Sequence, residues 1–373
     1  MLVPAENTVD VDAKKASATS ESYTALVWRR LRRSLTGMLG LIIVLFLLFM
    51  CVFAGFLAPV DPMLTDNSFM PPDSISIHDK DGGLVLPRIY PLVDSEQLDP
   101  VTFQPLTGPD YDNPRQLGFF VRGFEYRILG LIPSTIHFFG SVNGEPTHLL
   151  GTDKLGRDIL SRAIYGSRIS LMIALTVVSI VTVIGTTIGM MSGYFSGAAD
   201  VWIQRFVELV LAFPQLPLYL ALTSLIPVTA PTNVFLAFVI VVMSALGWAQ
   251  MSREVRGKTL ALARIEYVKA AIAIGATDRR IIFQHILPNV ISHVIVAVTL
   301  NIPNIVLLES FLGFLGFAVK PPLISWGLML QDTATYSVIG SYPWILAPVG
   351  FVLVTVFAFN ALGDGLRDAI DPY

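Results

Sequence analysis

The sequence predicts an all-α membrane protein of six transmembrane helices, with a small β-containing external insert between the first two. Three observations predict it. Hydrophobic residues make up 53% of the 373 and charged residues only 14%, a balance outside the usual range of soluble domains. Charge is absent for the roughly 20 residues that a spanning helix needs in five separate tracts. One of these, 208–253, is about twice the needed length and is broken near its middle by Pro227 and Pro231, so it supplies a helical hairpin of two spans.

Residues 1–22 are rich in Ser, Thr, Ala, Asp and Lys and predict a disordered start to a cytoplasmic tail of residues 1–36. The first span, 37–58, lies in the charge-free tract 36–59 behind the basic stretch Trp28-Arg-Arg-Leu-Arg-Arg. That apolar run is too long for a cleavable signal peptide. Residues 59–165 form the external insert and the segment leading into the second span. Within it, 61–148 is rich in Pro, Gly and Asp with short alternating runs such as FFVRGFEYRILGLI, which predicts strands, and Gly82 and Gly83 predict a hairpin turn. The second span occupies 169–194, the hairpin follows, and the tracts 291–308 and 342–363 complete the six. The transmembrane domain is thus expected over 166–364, followed by a cytoplasmic end at 365–373.

Short loops rich in Lys and Arg stay in the cytoplasm. The loop at about 253–289 holds Arg253, Arg256, Lys258, Arg264, Lys269, Arg279 and Arg280, so it is inside. With an even number of spans, both termini are then inside too. The long loop between the first two spans faces outward, because long loops translocate largely regardless of charge.

The inner loop carries the most informative local chemistry. Residues 267–274 predict a short helix in which Ala270, Ala271 and Ala273 leave the backbone accessible to another protein. Gly275 is a natural helix stop, and Thr277 or Asp278 is placed to cap a second helix. Catalytic readings find no support. Gly257-Lys258-Thr259 ends like a phosphate loop, but Ser252 stands where its first Gly is needed. The five His residues lack metal-ligand spacing, the single Cys51 sits within a span, and no nucleophile elbow occurs. No cofactor, no metal and no nucleic-acid partner are expected.

Ionisable groups inside spans face a bundle interior, and Glu208 and Glu309 qualify. An ion pair with Arg205 accounts for Glu208; Glu309 fits either a helix-end contact or a gate lining. Pro214, Pro217, Pro303 and Pro348 mark kinks, which serve as hinges or as static bends.

The segment Lys269-Ala-Ala, three residues, Gly275, and then His285-Ile-Leu-Pro288 resembles the signature of the permease subunits of ABC importers, with Lys269 in place of a leading Glu and His285 in place of an Ile. HLLGTDKLGRDILSRAIYGSRISL, LESFLGFLGFAVKPPLISWGLML and the ending GDGLRDAIDPY are similar to the dipeptide, oligopeptide and nickel branch of that family, the type of its C subunit. These motifs leave the external insert outside the resemblance. The resemblance implies a type I importer core made by spans two to six and a coupling helix that docks into an ATPase subunit. Tyr267, Lys269, Ala270, Ala271, Gly275, Ala276 and Thr277 take that coupling role, and Pro214, Pro217, Pro303 and Glu309 become hinge or pathway candidates. It also implies a second, homologous permease in a heterodimer, two cytoplasmic ATPase subunits, an extracytoplasmic solute-binding protein and a bacterial inner membrane. Peptides are the expected cargo, with nickel, opines or oligosaccharides as the alternatives. An ion-coupled transporter would instead need midplane carboxylates or inverted repeats, and a membrane scaffold would lack the docking helix.

Overall fold

The computed structural model describes residues 23–78, 83–98, 105–128, 130–227 and 229–370. The expected disordered tail at 1–22 lies outside the described residues. The chain opens with α1 (Tyr23–Leu31), α2 (Leu35–Val52) and the single turn α3 (Ala54–Leu57). Ser34 caps α2 through its hydroxyl, which accepts from the Gly37 N–H.

Among the described residues, the insert holds a four-stranded antiparallel sheet, β1 (Ser74–His78), β2 (Leu84–Tyr90), β5 (Arg115–Ile128) and β6 (Ile132–Ser141), with a separate ribbon of β3 (Leu92–Leu98) and β4 (Pro105–Pro109). The pairs Ser74 with Tyr90 and His78 with Leu84 form the predicted hairpin; Gly82 in its turn lies outside the described residues. The sheet rests on α3, where Gly55 leaves room for the ring of Tyr126.

His148 ties this insert to the membrane domain. Its amide donates to Asp73 Oδ2 at 2.6 Å, and its Nδ1 lies 3.2 Å from Asp158 Oδ1 and its Nε2 3.5 Å from Asp66 Oδ2. Burial disfavours a charged imidazole, but the hydrogen bond and charge of Asp158, with Asp73 and Asp66 beyond it, outweigh that, and the His148 pKa is raised. Burial also pushes the Asp73 carboxyl up. A raised histidine stabilises the fold fully below its unfolded pKa of about 6.5 and loses that contribution as pH rises through the folded value. Asp73 works in the same direction at lower pH. The thermal midpoint in detergent is therefore expected to fall between about pH 6 and pH 8, and His148→Phe to flatten that fall; a midpoint that rises over the window contradicts the assignment.

The membrane domain is built from α4 (Ile159–Phe195), α5 (Gly197–Ala212), α6 (Gln215–Thr223), α7 (Thr232–Leu262), α8 (Glu266–Ala273), α9 (Asp278–Arg280), α10 (Leu287–Phe314), α11 (Trp326–Leu330), α12 (Tyr336–Ser341) and α13 (Ala347–Ile370). Among the described residues, five apolar helical runs are long enough to cross a membrane, or six if the bent pair α5 and α6 counts as one span.

Two spans differ from their sequence expectation. The second begins ten residues before 169, because Asp158 accepts from the Ser161 N–H and caps α4 there, while Arg162 is buried beside Asp153. The third is not one straight helix: α5 and α6 meet at 79°. Pro214 explains the bend, since a proline forces the residue before it out of the helical region, and Phe213 sits at φ −77°, ψ 138°. Glu208 forms the expected pair with Arg205 at 3.0 Å on an exposed face.

The most extensive helix contact is between α4 and α7. It rests on Gly185, Gly189 and Gly193, spaced four apart on one face of α4. A Cβ at Gly189 would meet the Ser252 carbonyl oxygen at 2.5 Å. Small residues at this spacing let helix backbones approach closely. One core cluster joins α4, α7 and α10 through Ile173, Val177, Val239, Met243, Val290 and Leu312. Another packs α2 and α13 against α4 and α10 through Val44, Leu47, Ala174, Ile302 and Phe359.

Candidate coupling site

The basic loop at about 253–289 folds as α8, a tight turn and a helix continuous with α10. α8 is eight residues long and begins at Glu266, whose negative charge suits a helix N-terminus. It ends in a Schellman turn: the Gly275 N–H donates to the Ile272 carbonyl at 2.9 Å and the Ala276 N–H to the Ala271 carbonyl at 3.0 Å. Gly275 adopts φ +83°, which a residue with a Cβ enters only at a cost of roughly 1–2 kcal/mol.

α8 has a covered face and an open one. Val268 and Ala271 are buried, Val268 in the same cluster as Ile281 and Ile286. Ala271 is therefore not on the accessible face that the small-residue run suggests, because i and i+3 share one side of a helix. Tyr267, Lys269, Ala270, Ile272 and Ala273 remain exposed, and Ile274 is 86% exposed just past the helix end. Tyr267, Ile272 and Ile274 thus leave three large apolar side chains uncovered at one end of the bundle.

Thr277 occupies the N-cap position of α9 with extended backbone, but its hydroxyl makes no capping bond. Asp278 does not cap either; its Oδ1 accepts from the Tyr194 hydroxyl at 2.7 Å, which clips the loop to the end of α4. The residues after α9, Ile281–Ile286, wind as a π-helix, with the Leu287 N–H reaching the Ile282 carbonyl. Pro288 has no N–H for the preceding turn, and the wider winding absorbs the missing bond. His285 lies in this stretch. Its carbonyl accepts from Asn289 Nδ2 at 2.7 Å, and the same amide lies 3.2 Å from the Tyr267 hydroxyl. The second helix of the loop thus runs straight into α10, so α8 is joined covalently to α7 on one side and α10 on the other.

A second set of contacts braces the same end of the bundle. Arg256 on α7 makes two 2.6 Å hydrogen bonds to the Asp200 carboxylate on α5. Asp200 also accepts from Ser192 on α4, and Gln204 donates to Ser192 at 2.9 Å. Sequence reasoning does not find this brace, since Asp200 and Arg256 lie 56 residues apart and neither stands in a motif. Gly257, Lys258 and Thr259 lie inside α7, not on a loop that could cradle phosphate.

The remaining candidates scatter. Pro214 stands at the α5 to α6 break and Pro217 in the first turn of α6, where a missing N–H costs no helical bond. Pro303 is buried within α10, which runs through it without interruption. Glu309 is fully buried, and its Oε2 accepts from the Ser170 hydroxyl at 3.0 Å; the same oxygen of Ser170 accepts from the Trp326 N–H at 3.0 Å. Glu309 therefore ties α10 to α4 and α11, as a contact inside the bundle.

The family described as "Binding-protein-dependent transport system inner membrane component" matches residues 185–373, and "N-terminal TM domain of oligopeptide transport permease C" matches residues 22–72. The oligopeptide transport system permease protein OppC of Haemophilus influenzae is 42% identical over 229 residues, covering 61% of this chain and 71% of that protein. The dipeptide transport system permease protein DppC of Bacillus subtilis is 32% identical over 361 residues, covering 97% of this chain and 89% of that one. That alignment takes in the external insert, which the sequence motifs leave outside the resemblance. A solved chain of the inward-facing MetNI methionine ABC transporter is 18% identical, with a TM-score of 0.45 over 56% of this chain and 96% of that one. With half of the chain inside the family match and nearly all of it aligned to a relative, this protein belongs to the family of binding-protein-dependent transport system inner membrane components.

Proposed function

We propose that the chain forms one half of the solute path of an ATP-driven importer of di- or oligopeptides. It pairs with a second, homologous permease as a heterodimer, is driven by two separate cytoplasmic ATPase subunits and receives solute from an extracytoplasmic binding protein. Both termini and the loop at about 253–289 are cytoplasmic, and the insert at 59–165 is outside. The observation that carries this reading is α8, a short helix with exposed apolar side chains joined by links of three and four residues to two helices long enough to span a membrane. Peptide as cargo is inferred from the names of the oligopeptide and dipeptide relatives.

In this reading Tyr267, Lys269, Ala270, Gly275, Ala276 and Thr277 form the surface and turn that meet the ATPase, and Ala271 supports them from beneath. Closure of the ATPases on ATP pushes α8. α7 and α10 must follow, while the Tyr194 clip and the Arg256 to Asp200 brace carry the displacement to α4 and α5. The bundle then rocks between inward-open and outward-open states as bodies that pack, not as a continuous deformation. The break at Pro214 is the hinge of this motion, with Pro303 inside the unbroken α10 as the second hinge candidate.

Affinity purification of this chain from its native membrane tests the assembly. Two ATPase chains and one homologous permease per copy are the expected result. Recovery of the chain alone, or as a homo-oligomer without ATPase, overturns the proposal.

A further inference from the structure

A cavity of about 510 Å³ opens between α4, α6, α7 and α10. Its floor is buried, made by Val178, Val181 and Tyr219. Four carboxamides line it: Gln215 from the start of α6, Gln250 from α7, and Asn301 and Asn304 from α10. Among the described residues, no Asp, Glu, Lys, Arg or His lines it. The volume falls in the range of sites for small organic ligands, about 300–1,000 Å³.

Carboxamides within membrane-spanning helices are tolerated only where they meet protein or line a polar cavity. Here they are underused. Gln250 Nε2 donates to Glu254 at 3.0 Å and Asn304 Nδ2 to the Leu300 carbonyl at 3.2 Å, while among the described residues Gln215 and Asn301 form no side-chain hydrogen bond. Each carboxamide offers two N–H donors and an acceptor oxygen. The cavity thus presents donors and acceptors together, without net charge, beside apolar Leu308 and Phe311. A transition-metal cation finds no imidazole, thiolate or carboxylate ligand there, and a charged group finds no counter-ion.

Resting on the importer reading above, we propose that this cavity is a mid-membrane solute subsite, in which Gln215, Gln250, Asn301 and Asn304 engage the N–H and C=O groups of a peptide backbone. Because the lining is uncharged, it passes peptides with little regard to side-chain charge. Selection by charge is absent from this part of the path.

Installing a charge tests this directly. The whole importer is reconstituted in proteoliposomes with its binding protein, and uptake of two tripeptides that differ only in a central Lys or Glu is compared from the loaded binding protein. Asn301→Asp should shift the uptake ratio toward the Lys peptide by about tenfold, relative to the ratio in the parent importer. Asn304→Asp serves as the second variant and should shift it in the same direction. Such a shift is not produced by a general loss of folding, which lowers both rates together. A ratio unchanged in both variants, with uptake persisting, removes the cavity from the path. Failure of the parent importer to move either peptide from a loaded binding protein would instead defeat the peptide-importer reading, and the two failures are therefore distinct.

Discussion

Ile274→Asp is expected to abolish coupled uptake while leaving the permease folded. Ile274 is 86% exposed in this chain, and surface substitutions of that kind change stability by no more than about 0.5 kcal/mol. At a protein interface the same side chain becomes a buried apolar anchor, and replacing an anchor by a carboxylate costs about 2 kcal/mol or more. That is roughly a thirtyfold loss of affinity for the ATPase. Gly275→Val reaches the same end by another route, because φ +83° is unfavourable for a β-branched residue and the turn must reorganise. Uptake in proteoliposomes should fall at least tenfold for both, with the variants still extracted as a monodisperse species. Uptake at the parental rate for both would place the ATPase contact elsewhere.

Gly189→Leu should prevent the chain from assembling at all. A Cβ at Gly189 would sit 2.5 Å from the Ser252 carbonyl oxygen and 2.9 Å from Val255 Cβ. The first obstacle is backbone, so no rotamer change relieves it and α4 must separate from α7. Overpacking in a close-packed core costs about 1–3 kcal/mol even when side chains can yield. Gly257 on the same α7 is the control. A Cβ there meets nothing within 4 Å, and alanine in an exposed helix interior gains about 0.5–1 kcal/mol over glycine. Yield and thermal midpoint in detergent separate the two: collapse is expected for Gly189→Leu and no loss for Gly257→Ala.

The spans were legible because the absence of charge over about 20 residues has a single physical meaning in a bilayer. What escaped were the polar ends of helices. The first ten residues of α4 are helical because Asp158 caps them, and the buried Arg162 among them lies 3.4 Å from the Asp153 carboxylate, interactions that a hydropathy pattern cannot register. α5 likewise starts eleven residues before Glu208, held by the Asp200 to Arg256 pair. In the loop at about 253–289, Gly275 was readable as a stop from its chemistry alone. Which side of α8 faces inward was not, because Ala271 and Ala270 are the same residue and only packing against Ile281 and Ile286 distinguishes their positions. Asp278 was equally ambiguous, since its carboxylate could cap a helix or accept from a tyrosine 84 residues away. Glu309 accepts from Ser170, a hydroxyl 139 residues distant, a partner that its position in the sequence does not announce.

The central claim is that this chain carries solute and leaves the energy-yielding chemistry to partners docked on α8. Uptake of a labelled tripeptide into proteoliposomes, with the binding protein outside and ATP inside, tests it most directly. Accumulation that needs ATP, the binding protein and the ATPase subunits together, and that disappears with Ile274→Asp, is the predicted result. Accumulation driven by an ion gradient without ATP, or by this chain with its ATPases removed, would contradict the account.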